Sequence, residues 1–144
     1  QLLYVDEKFS VPKNVYLIGM MNTADRSLAM LDYALRRRFA FFDIKPGFET
    51  PGFREYRMAL DNEKFNRLIS CVENLNGVIA SDESLGEGFC IGHSYFCNLQ
   101  PETINDDWLY GVVEYELIPL LKEYWFDEPT KVKDWSENLR SAIK

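Results

Sequence analysis

Two nearly unbroken apolar runs give way, after Gly47, to apolar positions spaced three and four residues apart. Residues 14–21, NVYLIGMM, follow Val11-Pro12 and are almost wholly apolar. That pattern predicts a strand buried on both faces, as in parallel sheets. Residues 39–44, FAFFDI, predict a second short strand, closed by the turn signal Lys45-Pro46-Gly47. Between them the pattern predicts a short helix, with Asp25, Ser27 and Asp32 as candidate N-caps. Strand, helix, strand is a βαβ fragment, which implies a larger sheet.

Beyond Gly47 the period becomes helical. Phe65, Leu68, Ile69, Val72, Leu75 and Ile79 predict a helix that starts after Asp61-Asn62 and stops near Ser81-Asp82. A second helix follows Asn105-Asp106-Asp107 and carries Leu109, Val112, Val113, Leu117, Leu120, Leu121 and Tyr124, with a kink expected at Pro119. A last one starts near Pro129, with Val132, Trp135, Leu139 and Ile143 on one face. The stretch LGEGFCIGHSYFCNL, residues 85–99, alternates glycines with aromatics and reads as extended or looped. The organisation predicted is a small α/β piece, residues 1–46, and a helical lobe, residues 47–144. The first is too small to cover both faces of a parallel sheet by itself.

Composition narrows the function classes. Hydrophobic residues make up 47% of the 144 and the net charge is −7. There is ample material to bury, and no basic face of the kind a broad grip on nucleic acid requires. No apolar run approaches the roughly 20 residues of a membrane-spanning helix. The three cysteines, Cys71, Cys90 and Cys97, are odd in number and unpaired in spacing, which suits a reducing cytoplasm.

Against that background the arginines 36–38 are conspicuous, because three adjacent guanidiniums repel one another and a core has no use for them. They imply an anion outside the segment. Asn22, at the end of the first predicted strand, would stand at the carboxyl edge of a sheet, where α/β folds bind ligands.

The stretch NTADRSLAMLDYALRRRF, residues 22–39, resembles the second half of an AAA+ ATPase core, from the sensor-1 strand to the last strand, with the helical lobe as its lid. With VPKNVYLIGMM ahead of it, and PGF and IGHSYF after it, the chain is similar to the McrB family, GTP-preferring AAA+ motor subunits of modification-dependent (5-methylcytosine) restriction systems. The resemblance implies that Asn22 lies near a γ-phosphate and attacking water. It implies that Arg37 and Arg38 reach a neighbouring subunit's nucleotide, Arg37 foremost, and that Asp25 and Arg26 lie near that boundary. Arg36 is assigned to a salt bridge or to solvent. It further implies GTP or ATP with Mg²⁺ in a longer protein, a hexameric ring, a McrC-type nuclease partner and DNA recognition by a separate N-terminal domain. The phosphate loop GxxxxGK[ST] and the acidic strand that holds Mg²⁺ are missing from these residues, so this chain alone is expected neither to bind nucleotide tightly nor to hydrolyse it. The simplest account is the C-terminal part of a longer protein.

Two other readings compete with a nucleotide motor. One is a non-catalytic oligomerisation or partner-binding module built on the helical lobe. The other is a different AAA+ branch, such as a MoxR-like chaperone ATPase. His93, the single histidine, has no nucleophile partner in sequence and is expected as hydrogen-bonded structure, or near a hinge between the lobes facing nucleotide. A zinc site from Cys71, Cys90, His93 and Cys97 fits no standard ligand spacing, so no metal ligand is predicted. Trp108, Trp125, Trp135, Tyr115 and Tyr124 are expected as packing anchors between helices, and the acidic surroundings NDDWLYGVVEYE disfavour base stacking.

Overall fold

Pro51 opens the first helix of the described residues because its fixed φ suits the first helical position and the N–H it lacks would have no partner there. In the computed structural model, which describes residues 10–21 and 37–144, this helix α1 spans Pro51–Leu60. The Thr50 hydroxyl caps it, accepting from the Phe53 N–H at 3.4 Å. Asp61 ends it in the left-handed region, φ 45°, with its N–H bonded to the Arg57 carbonyl.

Helix α2, Glu63–Ser81, follows at once, because the Asn62 side chain accepts from the Phe65 N–H at 2.9 Å. Its stripe Phe65, Leu68, Ile69, Val72, Leu75 and Ile79 is entirely buried, which makes α2 the axis of the core. Burying each such side chain contributes about 1.5–3 kcal/mol. Gly86, at φ 88°, turns the chain so that its N–H reaches the Ile79 carbonyl at 3.2 Å.

Residues 85–99 form two short 3₁₀ turns, Glu87–Phe89 and His93–Phe96, pinned by side chains from the helices. The Asn76 amide pairs with Ile91 like a neighbouring backbone, donating to its carbonyl at 2.9 Å and accepting from its N–H at 2.6 Å. The Tyr56 hydroxyl donates to the Phe96 carbonyl at 2.7 Å and accepts from the Leu99 N–H at 3.0 Å. These bonds satisfy backbone groups that no ladder reaches.

The second predicted helix is three segments: α3, Asp106–Val112; a π-helical turn, Val113–Leu117; and α4, Ile118–Tyr124. Leu109, Val113, Leu117, Leu121 and Trp125 recur every four residues and are all buried. At about 100° per residue, four such steps in a regular α-helix would rotate the stripe by roughly 160°. One wider turn absorbs about 100° of that and keeps the stripe facing α2 and α5. The Ile118 N–H bonds to the Val113 carbonyl, five residues back. Pro119 follows immediately, and the widened turn takes up the clash its ring would make with the carbonyl four residues earlier. The expected kink is therefore a π turn ahead of the proline.

Helix α5, Pro129–Ala142, packs Val132 and Leu139 against α2 and α4. Asp82, just past α2, ties these ends together. Its carboxylate accepts from the Trp125 indole at 2.9 Å, the Lys131 ammonium at 2.8 Å, and the Ser84 N–H and hydroxyl at 2.9 and 2.6 Å.

The N-terminal expectation fares differently. The chain divides into two units, residues 1–31 and 32–144. No strand forms among the described residues. In the first unit, the run 14–21 follows a turn in which the Val15 N–H meets the Pro12 carbonyl at 3.2 Å, and Ile18 and Met20 are 93% and 97% exposed. In the second, Phe42 and Ile44 are 87% and 94% exposed. A doubly buried strand needs hydrogen-bonding neighbours and covering layers, and the described residues supply neither. Neither predicted strand is therefore formed among the described residues. Tyr115, expected as a packing anchor, is 73% exposed; it meets Tyr110 edge-to-face across the π turn instead. Trp125 is fully enclosed, as expected of an anchor.

Candidate functional site

Arg37 and Arg38 occupy an exposed turn, and residues 40–46 then have no regular secondary structure before the helical lobe. Asn22, Asp25, Arg26 and Arg36 lie outside the described residues. Of the predicted site residues, His93 has the most fully defined surroundings.

The Gly47 N–H donates to His93 Nδ1 at 2.8 Å. Nδ1 is therefore an unprotonated acceptor, which leaves the proton of the neutral ring on Nε2. The imidazole is also held edge-to-face by Phe48 and Phe53, with centroids 6.2 and 5.8 Å away. Phe48 is buried against Phe53 and Phe96, so the first residues of the lobe are anchored on both sides of the ring. Position 47 has no room for a side chain: a Cβ there would lie 2.8 Å from His93 Cε1. The histidine grips the point where the arginine-bearing segment joins the helices.

The charges around this junction are mostly solvent-facing. Lys45 pairs with Glu87 at 3.2 Å, both side chains more than two-thirds exposed, which contributes little. Arg54 binds Glu49 and holds its carboxyl below the usual range. Burial, reinforced by the hydrogen bond its protonated form donates to the Glu49 carboxylate, pushes the Glu73 carboxyl up.

The cysteines show no nucleophile setting. Burial raises all three thiols. Cys90 and Cys97 direct their thiols to the Asn76 and His93 carbonyls, at 3.6 and 3.1 Å. Among the described residues no three His, Cys, Asp or Glu side chains are grouped to hold a metal ion, and no helix is long and apolar enough to cross a membrane.

Sequence reasoning missed the partners that define this junction. Gly47 was visible only as part of a turn signal, and nothing local distinguishes a glycine needed for close approach from one needed for a bend. Tyr56 and Asn76 sit in helices and act on a loop far along the chain, so only a polar residue interrupting an apolar face hinted at Asn76.

Comparison with known proteins adds two findings. The alpha-helical lid domain of McrB matches residues 67–133, from within α2 to within α5. The Type IV methyl-directed restriction enzyme EcoKMcrB subunit of Escherichia coli strain K12 is 50% identical over 139 residues, which takes in 93% of this chain and 30% of that protein. The chain thus spans less than a third of the length of that relative.

Proposed function

Since the chain is McrB-like and carries the helical lid of that family, we propose that it is the sensor and lid part of an AAA+ motor that hydrolyses GTP or ATP between subunits of a ring in a modification-dependent restriction system. The observation that supports this most is the 50% identity, because it reaches well beyond the lid match and into the segment that holds the arginines.

On this reading Asn22 orients the attacking water, and Arg37 and Arg38 place fixed positive charge beside the neighbour's triphosphate, where negative charge accumulates during phosphoryl transfer. Asp25 and Arg26 belong to the same subunit boundary. The sequence has no GxxxxGK[ST] cradle and the described residues group no metal ligands, so on this reading triphosphate and Mg²⁺ would be held by other parts of the assembled protein. Within a complete sheet the exposed runs 14–21 and 39–44 would pair as strands, which accounts for apolar segments that are otherwise a liability. Lid movement about the junction at Gly47 and His93 would couple nucleotide state to the ring. The ring, a hexamer, would work in the cytoplasm with a McrC-type nuclease, on DNA recognised through a separate domain.

The test is Arg37→Ala in the protein that joins this chain to its nucleotide-binding part. Nucleotide affinity should hold within a few-fold while turnover drops by about 10³–10⁵-fold, the usual effect of losing an arginine finger. Turnover close to the parent's would remove Arg37 from the mechanism.

A further inference from the structure

A groove of about 450 Å³ runs between α4 and α5, on a part of the lobe the nucleotide reading leaves unused. Ile118, Trp125 and Val132 floor it, and each is nearly buried. Lys122, Lys133 and Arg140 stand around it, and no described carboxylate lines it. That is unexpected in a chain with 23 Asp and Glu against 16 Lys and Arg. Phe126 also lines the groove and is 82% exposed, a large ring held in water at its edge.

The cations around the groove differ in how they are engaged. Arg140 binds Glu114 through two of its guanidinium nitrogens, Nε and Nη2, the latter at 2.8 Å. Lys131, two residues before Lys133, is turned to Asp82 and lies over the Trp125 ring, 4.4 Å from its centroid. Lys122 and Lys133 remain exposed beside the apolar floor. An apolar slot with a positive rim complements a segment that is negative at its flanks and apolar at its centre.

We propose that this groove is a docking site for an acidic protein segment that seats one bulky apolar side chain on Ile118 and Val132, beside Phe126, with its carboxylates against Lys122 and Lys133. A nucleic acid fits less well. Trp125 is buried with Lys131 over its ring, so it presents no face for a base to stack on, and the net charge of −7 opposes a polyanion. The inference is independent of the nucleotide reading, since it uses none of the residues of that reading and needs no ring.

A random peptide library panned on the full chain, with the enriched peptides then measured on the Lys122→Glu/Lys133→Glu double variant, tests it directly. Enriched peptides should carry net negative charge around one Phe, Leu or Trp. Their affinity should fall about 10-fold or more on the double variant and on Phe126→Ala, and should weaken with added salt. Lys133→Gln, which removes charge without reversing it, should give a smaller loss in the same direction, and unchanged melting of each variant excludes unfolding as the cause. The proposal is overturned if no peptide is enriched, if enriched peptides are basic or bind the double variant equally, or if a DNA duplex binds the chain with the same dependence on Lys122 and Lys133.

Discussion

Four donors converge on the Asp82 carboxylate, and its ionisation follows from them. Hydrogen bonds from Lys131, Ser84 and Trp125 hold the carboxyl far below the ordinary range. A carboxyl depressed in the folded state stabilises the fold above its unfolded pKa, about 4, and that contribution is lost as pH falls toward the folded value. Glu114, lowered chiefly by its hydrogen bond with Arg140, acts with the same sign. Asp82→Asn should therefore lower the melting temperature at neutral pH and flatten its decline below about pH 4. Melting curves of parent and variant that stay parallel through the acid range would show that Asp82 is not the source. Gly47→Ala drives a methyl into a ring fixed by a hydrogen bond and two phenylalanines, so the lobe should lose about 1–3 kcal/mol, measurable by urea denaturation. Neither residue announced its role in the sequence. Asp82 read as a helix stop and Gly47 as a turn, because both depend on partners dozens of residues away.

Among the elements, legibility tracked how local the cause is. Helix α2 could be read to within a residue or two, since Asn62 caps it and its six apolar positions keep one period. Helix α5 was equally plain. Helix α1 went unread although Thr50-Pro51 is a good start signal, because it buries only Phe53 and Leu60 and shows little stripe. The π turn was latent in the spacing: apolar positions at every fourth residue from Leu109 to Trp125 outrun an α-helix. Deleting Tyr115 together with Pro119→Ala should convert residues 106–124 to a regular helix that still buries the same side chains. Its helical circular dichroism and melting should stay near the parent's, whereas deleting an exposed α2 residue such as Ser70 would turn half its stripe to solvent and unfold the lobe. Collapse of the Tyr115 deletion to the same extent as the Ser70 deletion would refute the spare-residue account of the π turn. The strands failed for the opposite reason: an apolar run states that a segment wants burial, and only the rest of a sheet can say where.

At the scale of the molecule, the core that the described residues form, from Phe48 to Leu139, lies within the helical lobe. Residues 47–144 alone should consequently fold with one cooperative thermal transition, and should bind less of an apolar dye than the full chain, whose exposed residues 14–21 and 39–44 are then absent. A truncated lobe with no cooperative transition would mean that the N-terminal residues contribute to its core. The clasp between Gly47 and His93 also decides how this lobe meets mechanical tension. A tug transmitted along residues 37–46 arrives first at an imidazole wedged between two phenyl rings, not at the capped first turn of α1. From there it passes through the 93–96 turn to Tyr56, which returns it to α1 from the far side. The helices would then swing together as one rigid arm when the arginine-bearing segment is displaced, instead of unravelling one at a time.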